Sequence, residues 1–171
     1  LVADQVVEHM ADNLAKSPAR PMLYAVTVPE GRRRLATGAC QGLLVPITGG
    51  PVAAADQEDK ARENPACDWA ATREILDAVY RTDGALDPLV DWRREAAVRS
   101  LTRNYAALYS GTADWLVSTG RPAEAGHYYL RAVRLLAFQG NTEHARQCLD
   151  SWSQADPQSP LLPQGRKLLE K

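Results

Sequence analysis

Residues 113–152, ADWLVSTGRPAEAGHYYLRAVRLLAFQGNTEHARQCLDSW, decide the fold. Gly120 and Gly140 each close a stretch whose apolar residues recur at helical spacing. After Gly120, Pro122 suits the first turn of a helix, because the N–H it lacks is one that a helix start leaves unpaired anyway. Glu124 follows, where a carboxylate meets the positive end of the helix dipole. Ala125, Tyr128, Tyr129, Ala132, Leu135 and Leu136 then share one stripe. Asn141 or Thr142 opens the next helix, which is predicted to bury Ala145, Cys148, Leu149 and Trp152 and to stop before Pro157. Helices joined by connectors this short fold back on one another as antiparallel neighbours.

Upstream, Val98, Leu101, Tyr105, Leu108, Thr112 and Trp115 alternate spacings of three and four on a helix that starts near Asp91 and ends at Gly120, predicting a seam against neighbouring helices. An earlier helix carries Trp69, Thr72, Ile75, Leu76, Val79 and Tyr80 on one face, with Asp68 as its N-cap and Asp83-Gly84 as its stop. A short amphipathic helix is predicted over Val2 to Leu14, and a last one over Leu161 to Leu169. Met22 to Val28 and Gly42 to Thr48 read as two strands. Pro46, which has no ladder donor, predicts an edge position or a bulge. Arg32-Arg33-Arg34 lies in the turn between the strands, and Pro51 to Asp68 reads as a loop. The expected organisation is residues 1–68, holding the N-terminal helix, β element and loop, and residues 69–171, holding the helices, packed as one unit.

Composition agrees with a helical class. There are 27 Ala and 20 Leu against 12 Val and 2 Ile, and Ala and Leu favour helix while β-branched residues favour strand. A net charge of -1 argues against a nucleic-acid partner, whose phosphates call for a strongly basic surface. No apolar run approaches the roughly 20 residues that span a bilayer. Three cysteines are too few and scattered for a disulfide framework or a metal knuckle, though in an oxidising compartment Cys40 and Cys67 are the pair to test.

Catalytic patterns are missing from the sequence. His144 and Cys148 have a metal-like spacing of four on one helix face, yet two ligands do not make a zinc site. Thr48-Gly49-Gly50-Pro51 lacks the Lys of a phosphate loop and reads as a turn. Asp56, Glu58 and Asp59 sit in a stretch without the rigid, desolvated setting that separates the pKa values of paired acids. Arg32-Arg33-Arg34 could meet anionic headgroups but reads better as a solvated turn. Tyr105, Tyr109, Trp115, Tyr128, Tyr129 and Trp152 could line a groove for a peptide or sugar ring, although their spacing assigns most of them to the core. No catalytic, cofactor or metal residue is assigned.

The Gly120 helix pair resembles a tetratricopeptide (TPR) repeat, in which small residues sit where two helices cross closely. Ala113, Leu116, Ala125, Tyr129 and Ala132 match its pattern around Gly120, and Ala145, Leu149 and Pro157 match it around Gly140, 20 residues later, as overlapping or degenerate repeats. The resemblance implies a degenerate TPR-like antiparallel array; with the two strands read above, the expected fold is mainly α with a small two-stranded β element near the N-terminus. The resemblance also implies that Ala107, Ser110 and Asp114 face the concave, partner-binding surface.

A longer resemblance spans most of residues 12 to 157. Asp12-Asn13-Leu14, then Ala19-Arg20-Pro21-Met22-Leu23-Tyr24-Ala25-Val26-Thr27-Val28, Gly42-Leu43-Leu44-Val45-Pro46, Tyr80-Arg81, Gly84-Ala85-Leu86-Asp87-Pro88, Asn104-Tyr105 and the Gly120 helix pair follow in order. They are similar to the soluble tail of a bacterial family of multi-span membrane proteins resembling protein O-mannosyltransferases of the GT-C type. The Arg-rich segment around Arg33 and the Ala-rich one around Ala54 depart from that pattern. The resemblance implies a non-catalytic, extracytoplasmic domain of a membrane glycosyltransferase-like protein, cut just outside the membrane and so beginning at Leu1. Its partner would be an acceptor protein, another subunit or its own membrane part. Family catalysis belongs to a membrane-side loop that this sequence lacks, so no catalytic residue carries over. The alternatives are an independent TPR-like adaptor unrelated to sugar transfer, and a small carbohydrate-binding or hydrolytic enzyme.

Overall fold

The computed structural model describes residues 9, 12, 13, 16, 23–25, 35–51, 66–80 and 96–170. The protein is mainly α-helical with one small β element. Among the described residues, three strands, β1 (Leu23–Ala25), β2 (Leu35–Thr37) and β3 (Leu44–Pro51), are followed by five helices. These are α1 (Trp69–Ala78), α2 (Ala96–Ser118), α3 (Pro122–Phe138), α4 (Thr142–Ala155) and α5 (Leu162–Lys167). None of the described helices is long and apolar enough to cross a membrane. The chain divides into two compact units, Leu1–Ile75 and Leu76–Lys171, with the boundary inside α1. Of the predicted N-terminal helix, His9, Asp12 and Asn13 are described and helical. The stretches holding Arg32 to Arg34, Asp56 to Asp59 and the Asp83-Gly84 stop lie outside the described residues.

In the first unit both predicted strands are present, and a third, β2, corrects the expectation of two. It falls between them, where a turn was expected, and the sheet order is β1-β3-β2, all antiparallel. Pro46 is therefore on the central strand, not an edge. This is tolerable because β1 pairs with Leu44 to Pro46 while β2 pairs with the half of β3 from Ile47 to Pro51. Pro46 sits at the changeover, and its carbonyl accepts the Gly38 N–H at 2.9 Å. Between the pairs Thr37↔Ile47 and Leu35↔Pro51, β3 advances four residues while β2 advances two, a bulge in the Gly49-Gly50 region.

The sheet is tied to the start of α1. Cys40 and Cys67 form a disulfide with Cα atoms 4.6 Å apart, and backbone bonds flank it from Cys40 N to Ala66 O and from Asp68 N to Cys40 O, both 2.8 Å. Asp68 caps the helix, its carboxylate accepting the Ala71 N–H at 3.0 Å, and buried Thr72 accepts the Gly42 N–H through its hydroxyl at 2.9 Å.

In the second unit α3 packs against α2, α4 and α5. Ala125, Tyr128, Tyr129, Ala132, Leu135 and Leu136 are all buried, as their spacing predicts. The seam of α2 is borne out in part. Leu108 and Thr112 are buried as predicted, while the other buried positions, Thr102, Ala106, Tyr109, Ala113 and Leu116, each lie one residue on from a predicted one, and Leu101 is 44% exposed. Close approach explains the rotation, because Ala106 and Ala113 let α3 come nearer than Leu101 or Tyr105 would. In α4, Ala145 and Trp152 are buried while Cys148 and Leu149 are half-buried. The Trp152 ring stacks on Tyr129, centroids 6.2 Å apart, and is hemmed in by Gly126 and Gly165, whose absent side chains let α3 and α5 close over it.

Candidate functional site

The site begins with two helical stripes. Arg103, Ala107, Ser110 and Asp114 on α2 are spaced four, three and four, so they share a face. His144, Gln147, Cys148 and Ser151 do the same on α4. Two reversals through α3 make α2 and α4 run in the same direction, with the two stripes across a cleft and α3 beneath. The cleft has a volume of about 660 Å³ and is lined by both stripes together with Ala106, Tyr129, Leu136 and Asn141. Volumes of this order suit a ligand or a short chain segment.

Ala107, Ser110 and Asp114, which sequence places on a concave face, thus lie together on one wall of the cleft. The facing wall was not expected. Its signal was present in the sequence, since His144, Cys148 and Ser151 follow helical spacing, but the sequence sets His144 and Cys148 only against a metal site, which two ligands do not make, and puts Cys148 on the buried stripe. Among the described residues no three His, Cys, Asp or Glu side chains are grouped to hold a metal ion. His144 instead shares a hydrogen bond with Asn141, Nδ1 to Oδ1 at 2.9 Å.

One end of the cleft is electrostatically organised. The Tyr129 hydroxyl donates to Asp114 Oδ1 at 2.5 Å. Burial raises the Tyr129 phenol above its ordinary pKa, and the hydrogen bond to the Asp114 carboxylate raises it further by favouring the protonated donor. Burial also pushes the Cys148 thiol up to about 11, with the charge of Asp114 as the lesser cause. At neutral pH this end therefore presents one carboxylate, a neutral phenol and a neutral thiol, and a neutral thiol is a weak nucleophile. The Ser110 hydroxyl donates to the Ala107 carbonyl of its own helix at 3.1 Å, a bond that uses its proton and none of its accepting capacity.

The aromatic residues are mostly core. Tyr109 and Tyr128 lie 6.4 Å apart at a tilt of 41°, both buried, and only Tyr129 of the six reaches the cleft wall. Tyr128 also donates to Asp77 Oδ2 at 2.7 Å, and Arg131 lies 5.5 Å from the Tyr109 ring centre while donating to its hydroxyl at 3.3 Å. The Tyr109 contacts join α2 and α3, and the Tyr128–Asp77 bond joins α3 to α1. No family model, curated protein or solved structure matches the chain, so its function is argued from the cleft and the sequence alone.

Proposed function

We propose that the second unit is a degenerate TPR-like array whose α2–α4 cleft docks a protein segment, and that the chain is a non-catalytic accessory domain of an extracytoplasmic, membrane-tethered glycosyltransferase-like protein. The observation that carries the docking half is the cleft itself. Alternate helices present their stripes to one trench, and the three residues read from the Gly120 anchor lie on its wall. The membrane-enzyme half is supported by the ordered resemblance over residues 12 to 157 and by the Cys40–Cys67 disulfide, since such bonds persist outside the reducing cytosol.

The test uses the protein expressed from its whole gene. A photo-crosslinking amino acid at Ser110 is expected to capture a defined acceptor, subunit or membrane loop, while the same group at Arg134, exposed on α3, captures none. Equal capture at both positions, or none at Ser110, would overturn the docking reading. Recovery of the chain in the soluble cytosolic fraction would instead favour a free-standing adaptor and remove the link to sugar transfer.

A further inference from the structure

Of the twelve residues lining the cleft, Arg103 is the only Arg or Lys and Asp114 the only Asp or Glu, so the two charges are opposite. Eleven residues apart on α2, they are separated by three helical turns, about 16 Å along the axis, and lie within about 20° of the same face. Arg103 marks the end of the cleft where α4 begins, beside Asn141 and His144. Asp114 marks the other end, where its carboxylate accepts from Tyr129. Between them the α2 wall is uncharged Ala107 and Ser110, the floor is apolar at Leu136, and the α4 wall carries Gln147, Cys148 and, one turn further on, Ser151.

Resting on the docking reading above, we propose that the occupant is an extended peptide segment with one acidic and one basic side chain four residues apart, the acid at Arg103 and the base at Asp114. The spacing follows from the alternation and rise of an extended chain: only an even step points both side chains at the α2 wall, and four steps at about 3.3 Å each cover about 13 Å, with the long acidic and basic side chains reaching across the rest. The polarity follows from Coulomb's law, since the reverse orientation would bring like charges together at both ends. The uncharged middle fits small or apolar side chains against Leu136, with the peptide backbone meeting Gln147 and Ser151. The Asp114 carboxylate retains accepting capacity for a cation, because the Tyr129 bond occupies only one of its oxygens.

The experiment uses the full chain and a fluorescein-labelled pentapeptide, Glu-Ala-Val-Ala-Lys, blocked at both ends, with anisotropy and the alkylation rate of Cys148 as readouts. Cys148 is the free thiol and lines the cleft, so a bound peptide should slow its alkylation. Replacing either charged end of the peptide by Gln is expected to weaken binding about fivefold, the scale of one exposed ion pair. Arg103→Glu should lose the bipolar peptide and favour one with Lys at both ends. Asp114→Lys should favour the peptide with Glu at both ends. Arg103 is an exposed residue, so its variant keeps the fold even where the loss of the Tyr129 bond weakens the Asp114 variant. If an all-Gln peptide binds and protects Cys148 as well as the bipolar one, the charge assignment is wrong while the docking reading stands. If no peptide binds or protects, the assignment is equally overturned, and the Ser110 crosslink decides the docking reading separately.

Discussion

Gly120 and Gly140 reverse the chain with φ of +77° and +75°, a left-handed conformation that a side chain disfavours. Each ends its helix the same way. The Arg121 N–H reaches back to the Leu116 carbonyl at 2.8 Å and the Asn141 N–H to the Leu136 carbonyl at 2.9 Å, with the glycine N–H bonded to Val117 O or Ala137 O. No atom lies within 4 Å of the Cβ that either glycine would gain. A Gly120→Ala variant should therefore lose only the backbone preference, about 1 kcal/mol. A urea titration should show a lower midpoint with an unchanged slope, and Gly120→Asn should lie between alanine and wild type. Both glycines were legible in the sequence, because a glycine after an apolar stripe signals this turn.

The Cys148 thiol gives a second expectation at the same scale. Burial and then Asp114 raise it from 9.0 to about 11, and Tyr129 is raised in the same sense. In the folded chain both groups hold their protons where the unfolded chain releases them. Stability from this source is complete below the ordinary thiol value and falls as pH climbs through the folded one near 11. The alkylation rate of Cys148 should accordingly reach half its plateau near pH 11. Asp114→Asn removes the lesser cause and should lower that midpoint by less than half of the total shift. An unshifted midpoint would mean that burial alone sets the thiol.

At the scale of elements, the contrast between α2 and α3 shows what periodicity can resolve. On α3 the large and small apolar residues share one stripe, so spacing alone locates the buried face. On α2 the large residues Leu101, Tyr105, Leu108 and Trp115 form one stripe and the small residues Ala106 and Ala113 lie beside it. Packing keeps Leu108 buried but turns the contact face toward Ala106 and Ala113, because helix axes approach where side chains are short, and Leu101 is left exposed. Hydrophobicity does not encode that choice, and the α4 wall of the cleft was missed for a related reason: a polar stripe looks the same whether it faces solvent or another stripe. The junction of α3, α4 and α5 depends on the same economy of space. A Cβ at Gly165 would come within 3.0 Å of both Leu149 Cδ1 and Trp152 Cζ3, and the Trp152 ring is fully enclosed. Gly165→Ala should thus destabilise the second unit by about 1–3 kcal/mol despite the better helix propensity of alanine. Pairing it with Leu149→Ala, which opens space on one side of the ring, should cost less than the sum of the two single changes. Strict additivity would show that the contact is not the cause.

At the scale of the whole molecule, the two units hold themselves together by different means. The second unit buries a continuous set of side chains between α2 and α5, and its stripes and turns can be read from sequence. The first unit has short strands, few buried side chains among its described residues and a covalent tie. Its third strand was not legible, because Leu35 to Thr37 is too short to show an alternation and follows three arginines. Sequence could nominate Cys40 and Cys67 as a pair without fixing the bond, since it depends on the chain's return from β3 to α1. A cross-link between residues 27 apart restricts the unfolded chain by an entropy equivalent to about 3–4 kcal/mol. Replacing both cysteines by serine should therefore cost the first unit roughly that much. Hydrogen exchange should report it locally, with the amides of Cys40, Gly42 and Asp68, bonded across the disulfide or to Thr72, losing protection first. The Schellman turns at Gly120 and Gly140 serve as internal reference. If their amides lose as much protection as Gly42, the bond stabilises the chain as a single cooperative unit and the division at Ile75 is not an energetic one.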